Sequence, residues 1–449
     1  MGYSKMKGTV IHMPEKNEIF ELNITDINHK GYGVGRINGI VTFVSDAVTG
    51  EKLRVKIIKK AKDYLVARKE EILSPSPNRI IPKCPISRRC GGCVYQHITY
   101  AHELELKQSR VKNEFIKAGL QSISVLPTLT TGKTEGYRNK IETPIGEDYV
   151  TGFYAERTHE IIPCAHCYLQ DELFSRIISF VTKELKNNGV KGIRNIYIRR
   201  GDKTNETMVC LVSIRPSFNG EKLIAERIMK SFPQVVSVIL NHNPEETNVI
   251  LGRKCRTLAG KSTIDDILCG LHFTIHPLSF YQVNRDAAEL LYGKAAELAD
   301  IKPNETVIDL FCGVGTIGLS IISKTPAKKL IGIEIVPEAV KNAEFNRDQN
   351  GIKNAAFFCS PAENIEFGEA DVVILDPPRK GCKPELIDYI VKMNIPKVVY
   401  ISCGPDTLAR DVALFVKYGY SPSAVQPVDL FPRTGHVESV VCLKRQIQQ

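Results

Sequence analysis

An apolar strand that runs directly into a glycine-containing turn and a helix constrains the fold of this chain more than any other feature. Residues 306–316 read Thr-Val-Ile-Asp-Leu-Phe-Cys-Gly-Val-Gly-Thr, and a helical pattern follows over 317–324. Glycines in such a turn let the backbone approach a ligand closely at the start of a helix. This unit predicts an α/β fold, because the helix must carry the chain back to a parallel neighbouring strand.

Similar strands alternate with helices to the end of the chain, which predicts a parallel, doubly wound sheet. The predicted strands are Val307–Phe311, Leu330–Ile335, Ala355–Cys359, Asp371–Asp376 and Lys397–Cys403. Ligands bind beyond the carboxyl ends of the strands in such sheets. The residues at those ends are Asp309, Glu334, Asp376 and Cys403. We expect a nucleotide-cofactor site there, with Gly313 in its turn and Glu334 placed to hydrogen-bond ribose hydroxyls.

The last predicted strand, Val437–Leu443, carries a further carboxylate. Glu438 lies near its start, whereas the other candidate residues lie at strand ends. If this strand runs antiparallel to its neighbours, its start lies on the same edge of the sheet. That topology brings Glu438 toward Cys403.

Cys403 and Glu438 together suit chemistry on a pyrimidine ring. Carbon 5 of uracil becomes nucleophilic only after a group adds to carbon 6, and a cysteine thiolate is well suited to that reversible addition. A glutamate can then remove the proton left on carbon 5 as general base. A helix that opens at Pro405 is expected to lower the pKa of the thiol. The competing interpretation is structural, because a cysteine at the end of a buried strand is more often a small core residue.

Four other interpretations of this region stay open on the residues alone. Gly313, Gly315 and Gly318 satisfy the dinucleotide pattern, although the later Asp376-Pro-Pro-Arg379 is typical of S-adenosylmethionine enzymes. An amino-methyltransferase usually has an aromatic residue after the prolines and needs no Cys403. A DNA cytosine-5-methyltransferase usually carries its nucleophile after a proline, where this chain has a serine. A non-catalytic RNA-binding protein leaves the Cys403 region unexplained.

Over nearly its whole length the chain resembles the S-adenosylmethionine-dependent RNA uracil-5-methyltransferases, in particular the iron-sulfur branch that acts on bacterial 23S ribosomal RNA. The matching motifs are 402–411 (Ser-Cys-Gly-Pro-Asp-Thr-Leu-Ala-Arg-Asp), 376–379 (Asp-Pro-Pro-Arg), 431–438 (Phe-Pro-Arg-Thr-Gly-His-Val-Glu) and 280–284 (Phe-Tyr-Gln-Val-Asn). The resemblance implies a Rossmann-like methyltransferase domain with an antiparallel last strand. It also implies a nucleophile, Cys403, and a base, Glu438. Around the cofactor and target base it implies Gln282, Phe311, Glu334 and Asp376, with Asp309 and Gly313 in the cofactor loop. The chain departs from the family at 360–363 (Ser-Pro-Ala-Glu), where an acidic or amide residue is usual.

A second cluster of cysteines lies nearer the start of the chain. Cys84, Cys90 and Cys93 follow the pattern C-x5-C-x2-C, and Cys164 and Cys167 lie about 70 residues later. Without a signal peptide, disulfides are not expected. The two C-x2-C pairs fit a tetrahedral zinc site. The resemblance instead implies a [4Fe-4S] cluster on Cys84, Cys90, Cys93 and Cys167, with Cys164 as a spare.

Charge and pattern predict a small basic module at the amino terminus. The chain carries a formal net charge of +10, most of it within residues 1–93. Alternating apolar and polar residues over 18–25, 34–44, 51–58 and 64–73, with an Asn38-Gly39 turn, predict a small closed barrel. It resembles the TRAM domain, an OB-like RNA-binding barrel. Its candidate phosphate contacts are Lys52, Arg54, Lys56, Lys59, Lys60 and Lys62.

Three domains are therefore expected: a barrel over 12–73, an iron-sulfur segment with an α+β central domain over 74–278, and a catalytic domain over 279–449. In the central domain the candidate RNA contacts are Arg138, Lys140, Phe153, Arg199 and Arg200. No apolar run is long enough for a membrane span. We expect a cytoplasmic monomer whose partner is RNA, most simply ribosomal RNA.

Overall fold

The computed structural model describes residues 4–6, 9–11, 14–245, 247, 249–362 and 369–446. It divides into two compact units. The first consists of Met1–Arg110 and Arg433–His436, and the second of Val111–Pro432 and Val437–Gln449. Glu363, at the departure from the family pattern, lies outside the described residues.

The first unit contains the predicted barrel. The strands of this unit are β1 (Ser4–Met6), β2 (Thr9–Ile11), β3 (Ile19–Asn23), β4 (Asp26–Ile27), β5 (Tyr32–Ile37), β6 (Ile40–Ser45), β7 (Lys52–Lys60) and β8 (Tyr64–Ser74). Among the described residues, strands β1 and β2 pair only with each other. Strands β3 to β8 form one sheet in the order β3-β7-β8-β6-β5-β4. The two edge strands, β3 and β4, follow each other in sequence and are joined by Ile24 and Thr25. Ile24 N donates to Glu51 O, and Thr25 N donates to Val34 O. Because one continuous segment forms both edges, the sheet curls on itself.

The Asn38-Gly39 turn joins β5 to β6 as predicted. Both residues have positive φ, 49° and 82°, which is the combination that a two-residue type I′ hairpin requires. Alternate residues of β7 point inward, so that Leu53, Val55 and Ile57 are fully buried. Helix α1 (Tyr100–Lys117) follows.

A central α+β layer opens the second unit. Its elements are β9 (Lys140–Pro144), a 3-10 turn (Glu147–Tyr149), β10 (Gly152–Tyr154), β11 (Ile161–Pro163), α2 (Glu172–Asn187), β12 (Ile193–Arg200), β13 (Thr207–Ser213), α3 (Glu221–Ser231), β14 (Val235–His242), β15 (Lys254–Gly260), β16 (Ile264–Leu268) and β17 (Leu271–Ile275). Five of these strands form a sheet in the order β15-β14-β13-β12-β9. Strand β9 begins at Lys140, and the preceding Asn139 N donates to Val283 O instead of to the sheet.

The carboxyl-terminal sheet has the predicted α/β topology. Its elements are α4 (Arg285–Ala299), β18 (Thr306–Leu310), α5 (Thr316–Ile322), β19 (Lys329–Glu334), α6 (Pro337–Gln349), β20 (Ala355–Cys359), β21 (Val372–Leu375), α7 (Pro384–Lys392), β22 (Lys397–Ser402), α8 (Pro405–Lys417), β23 (Tyr420–Pro422), β24 (Gln426–Val428) and β25 (Glu438–Arg445). The order is β20-β19-β18-β21-β22-β25-β23, with β24 also on β25. The ladder is parallel from β20 to β22.

Strand β25 is antiparallel to β22, with Ser402 opposite Ser439. The start of β25 therefore lies beside the end of β22, and the predicted antiparallel last strand is confirmed. Two apolar clusters cover the faces of the sheet, one around Ile374 and Ile401 and the other around Val373 and Tyr400. The strand order reverses between β18 and β21. In such sheets a ligand binds at the carboxyl edge beside this reversal.

Candidate active site

Asp309 occupies a buried position at the end of β18. Its side chain is fully buried, and Oδ2 accepts a hydrogen bond from Gly318 N at 2.9 Å. A Cβ at position 318 would lie 2.6 Å from this oxygen, so glycine lets helix α5 approach the carboxylate. Within the described residues Oδ1 has no hydrogen-bond partner. A buried acceptor in this state requires a donor to satisfy it.

The turn after β18 adopts a conformation that few residues tolerate. Phe311, Gly313 and Gly315 have φ values of 65°, 55° and 82°. The left-handed region suits glycine but is strained for an aromatic residue, and such strain concentrates at functional sites. The turn is held by Gly315 N, which donates to Cys312 O at 2.8 Å.

Glu334, at the end of β19, braces the same turn. Its Oε2 accepts from Gly313 N at 3.1 Å, and its Oε1 accepts from Val336 N at 2.9 Å. Each oxygen retains a lone pair for a further donor such as a ribose hydroxyl. The predicted cofactor residues Asp309, Gly313 and Glu334 are therefore brought together.

Gln282 reaches this region from the segment before α4. Asn139 Nδ2 donates to Gln282 O at 3.0 Å, and Arg199 Nη1 donates to Ser279 O at 2.9 Å, so the central layer fixes the segment. Burial raises the pKa of Tyr292 above its usual range, while hydrogen bonds with the side chains of Thr316 and Gln282 oppose the rise. Nothing in the sequence singled out Tyr292, which is an aromatic residue on an amphipathic helix.

Cys403 and Asp376 directly follow β22 and β21, and Glu438 is the first residue of β25. Because β25 is antiparallel, all three lie at the carboxyl edge of the sheet. Cys403 is half-buried, and Glu438 is 6% exposed. The charges of Glu438 and Asp376 both act on the Cys403 thiol. The sheet therefore brings the predicted nucleophile and base to one place, beside Asp376.

The expected lowering of the Cys403 pKa is wrong. Burial raises the pKa of this thiol, the negative charges of Glu438 and Asp376 raise it further, and the positive charge of Arg379 opposes them. Helix α8 does begin at Pro405, yet the net shift of the thiol pKa is upward.

Burial is also the largest cause of the raised pKa of the carboxyl groups at this site. It raises the pKa of Glu438 to about 8, with Asp376 adding to the rise and Arg379 opposing it. Burial raises the pKa of Asp376 to about 7. For Asp309 burial raises the pKa to about 8, against the hydrogen bond from Gly318. Carboxyl groups with such values exchange protons near neutral pH, as general acid–base catalysts must.

Arg379 is a site residue to which the sequence analysis gave no role. Its charge lowers the pKa of both Cys403 and Glu438. Its position directly after the two prolines of the 376–379 motif was the signal that pointed to it.

These residues fit S-adenosylmethionine. Within the described residues Asp309 Oδ1 lacks a hydrogen-bond partner, which suits the amino group of this cofactor. The glycines of the turn let the backbone approach, and the Glu334 carboxylate at the next strand end suits the ribose. At the departure from the family pattern, Ser360 N donates to Glu334 O at 2.9 Å, and Ser360 Oγ donates to its neighbour Pro361 O.

The amino-terminal cysteines do not form a recognisable metal site. Across the described residues no group of three or more Cys, His, Asp or Glu side chains is arranged to hold a metal ion. Cys84 lies close enough to Cys90 to raise its pKa, although burial is the larger cause. Gln96 Nε2 donates to Cys93 Sγ at 3.5 Å, and Cys84 N donates to Gln96 Oε1 at 3.4 Å. Cys167 belongs to the second unit, and Cys164 Sγ donates to His166 O.

Several predicted RNA contacts have partners within the protein. Lys52 pairs with Glu21 at 2.6 Å and Lys60 pairs with Glu15 at 2.7 Å, while Arg54 pairs with Glu71. The expectation for Arg199 is wrong, because this side chain is 2% exposed and braces Ser279.

Comparison with known proteins gives two family matches. Residues 15–69 match the TRAM domain, and residues 301–412 match a methyltransferase domain. Among the described residues, no helix is both long and apolar enough to cross a membrane.

Full-length relatives extend the comparison. An uncharacterized RNA methyltransferase of Halalkalibacterium halodurans is 38% identical over 96% of this chain and 97% of its own length. One from Clostridium tetani is 39% identical over the same shares. The crystal structure of Pyrococcus abyssi tRNA (uracil-54, C5)-methyltransferase with S-adenosyl-L-homocysteine is similar with a TM-score of 0.78 and 25% identity, over 94% of this chain and 100% of that one.

Proposed function

The chain belongs to the S-adenosylmethionine-dependent RNA methyltransferases, and on that premise we propose that it methylates carbon 5 of a uridine in RNA through a covalent adduct with Cys403. The single observation that carries the proposal is the pairing of Cys403 with Glu438 at adjacent strand ends, beside the cofactor turn. An enzyme that methylates an exocyclic amine needs no such thiol. The likeness to a uracil C5-methyltransferase supports the same chemistry.

In the proposed reaction the target uridine is flipped out of its RNA context to reach the carboxyl edge of the sheet. The Cys403 thiolate adds to carbon 6, and the electron pair moves to carbon 5 and the carbonyl oxygen. Carbon 5 attacks the electrophilic methyl group that bound S-adenosylmethionine would supply, the sulfur–methyl bond breaks, and S-adenosyl-L-homocysteine would be released. Glu438 then takes the proton from carbon 5, the electron pair re-forms the double bond between carbons 5 and 6, and the thiolate leaves.

The electrostatics of the site suit this order of events. In the free protein a raised pKa keeps Cys403 largely protonated, so Arg379 is the group that favours the reactive thiolate. Glu438, with a pKa of about 8, is a stronger base than an exposed glutamate once it is ionised. We assign Asp376, whose charge acts on both residues, to hydrogen-bond the base or position the cofactor.

The cofactor-binding roles are part of the proposal. Asp309 Oδ1 would accept from the amino group, Glu334 would accept from the ribose, and Gly313 would let the backbone approach. Phe311 and Gln282 would border the reacting methyl group and the target base. The buried Asp309 Oδ1 is the strongest support, because no donor reaches it from the part of the chain that the structure describes.

RNA containing 5-fluorouridine tests the mechanism. Fluorine cannot leave carbon 5 as a proton, so with cofactor present the enzyme should accumulate a covalent RNA complex at Cys403. Cys403→Ala should form none, while Cys255→Ala, which removes a half-buried thiol of the central layer, should behave as wild type. An adduct that survives in Cys403→Ala would refute the assignment.

Ribosomal RNA is the substrate that the family resemblance favours, with the TRAM domain as the docking module. Transfer RNA is the second candidate, because the P. abyssi protein that matches nearly the whole chain acts on tRNA. Equal amounts of unmodified 23S rRNA and tRNA, offered to one preparation of enzyme, separate the two. The substrate that acquires 5-methyluridine first at low enzyme concentration is the physiological class.

We further propose that Cys84, Cys90, Cys93 and Cys167 hold a [4Fe-4S] cluster. Its support is the cysteine spacing and the family resemblance, and no step of the reaction is assigned to it. Iron, sulfide and zinc analysis of anaerobically purified protein should give about four irons per chain. Stoichiometric zinc without sulfide would instead support the C-x2-C pairs as a zinc site.

A further inference from the structure

The motif that contains Cys403 ends on two residues for which the reaction has no use. Arg410 and Asp411 lie in the second turn of α8, the helix that follows the nucleophile. Asp411 is 2% exposed, which is unusual for a carboxylate unless it is fully paired. Its Oδ2 accepts from Tyr400 Oη at 2.7 Å and from Cys382 N at 2.9 Å, and its Oδ1 accepts from Arg410 Nε at 2.8 Å.

Arg410 extends this network to the loop after β21. Its Nη2 donates to Lys380 O at 3.0 Å and to Cys382 O at 3.1 Å. One guanidinium therefore spans two carbonyls of the loop while its Nε is held by Asp411. A planar fork of donors can do this, whereas the single ammonium of lysine cannot hold all three acceptors in the same geometry.

The loop itself is a tight turn fitted against α8. Gly381 N donates to Pro378 O at 2.8 Å, which closes the turn around Arg379. Gly381 has a φ of 74°, and a Cβ there would lie 2.6 Å from both Arg410 Nη2 and Asp411 Oδ2. Thr407 Oγ1, one turn earlier on α8, lies 3.4 Å from Arg379 O. The turn is thus fixed from the helix at several points.

We propose that Asp411 and Arg410 are positioning residues that hold the turn Pro378–Gly381, and with it Arg379, against α8 beside Cys403. The proposal rests on the assigned role of Cys403 as nucleophile. The charged groups that act on the thiol are Glu438, Asp376 and Arg379, and Arg379 is the one that favours the thiolate. Loss of its position removes the positive charge that opposes burial and the two carboxylates, so the thiol becomes harder to ionise.

A double-mutant cycle on thiol reactivity tests this. The rate at which iodoacetamide alkylates Cys403, followed by mass spectrometry of its peptide, is measured against pH in wild type, Asp411→Asn, Arg379→Met and the double variant. We expect each single variant to move the Cys403 titration to higher pH and to slow alkylation at neutral pH by up to about tenfold, equivalent to about 1.4 kcal/mol. The double variant should be alkylated no more slowly than Arg379→Met alone, because both substitutions remove the same effect, the charge of Arg379 on the thiol.

Two further variants make the result decisive. Asp388→Asn is the matched control, since Asp388 accepts from Tyr418 Oη at 2.6 Å on the exposed side of α7 and α8, and it should react as wild type. If Asp411→Asn does not fold, Arg410→Met carries the same test, because this side chain is 56% exposed. An Asp411→Asn protein with a lower melting temperature but an unchanged Cys403 titration would overturn the proposal, as would additive effects in the double variant. The measurement needs neither RNA nor cofactor, so it fails or succeeds independently of the 5-fluorouridine experiment.

Discussion

Replacing Glu438 with glutamine should stabilise the fold at alkaline pH while it stops turnover. Burial raises the pKa of this carboxyl from 4.5 to about 8, so the folded state binds a proton that the unfolded state has already lost over that interval. The stability that Glu438 contributes is therefore complete below pH 4.5 and is lost as pH rises toward 8. Glutamine has no charge to bury at any pH.

The magnitude follows from the size of the rise. A change from 4.5 to about 8 corresponds to about 5 kcal/mol if none of it is relieved by relaxation. Since Asp376 titrates in the same range and neighbouring groups can relax, we expect Glu438→Gln to gain about 2 to 5 kcal/mol of unfolding free energy relative to wild type between about pH 5 and about pH 8.5.

Urea unfolding followed by circular dichroism measures this difference, since the chain has no tryptophan. Glu297→Gln is the matched control, because that carboxylate is 67% exposed and its removal should give a difference that does not change with pH. A Glu438→Gln difference that also stays constant would show that Glu438 ionises normally, and the burial argument would then fail. In the activity assay Glu438→Gln should accumulate a methylated covalent complex, and rapid turnover by this variant would contradict its role as base.

Three more predictions concern the same edge of the sheet. Turnover at saturating substrates should keep rising with pH through about 8, because the base acts only when ionised and the pKa of the Cys403 thiol is also raised, and a rate already constant from about pH 6 would contradict this. Asp309→Asn should weaken S-adenosyl-L-homocysteine binding at least about tenfold in calorimetry, since an amide donor would meet the amino group, while RNA affinity stays unchanged. Gly318→Ala should lower the stability of the fold by about 1 to 3 kcal/mol in thermal unfolding, because its Cβ would lie 2.6 Å from Asp309 Oδ2, and an unchanged melting temperature would refute the close approach.

Pattern alone was enough for the topology of the carboxyl-terminal sheet. Strand β20 has the predicted bounds, and β18, β19, β21 and β22 differ by one or two residues at their ends. The antiparallel β25 was predictable because Glu438 had to reach the edge that holds Cys403. Hydrophobic strands separated by helices leave few alternatives, since connections between parallel strands are constrained in hand and length.

Electrostatics and long-range contacts were not predictable in the same way. The helix after Cys403 suggested a lowered pKa, but only the folded structure shows how much burial and two carboxylates oppose it. Arg199 looked like an RNA contact, yet the fold buries it against Ser279, 80 residues away. The clamp that Asp411 forms with Cys382 likewise joins residues 29 positions apart. Such pairings depend on tertiary packing, which local sequence does not encode.

Release of tritium from RNA labelled at carbon 5 of its uridines tests the central claim most directly. If the Cys403 thiolate activates carbon 5 and Glu438 removes its proton, each methyl group transferred from S-adenosylmethionine should release one tritium into water, and Cys403→Ala should release none. Methyl transfer without tritium release would place the methyl group on another atom and contradict the account.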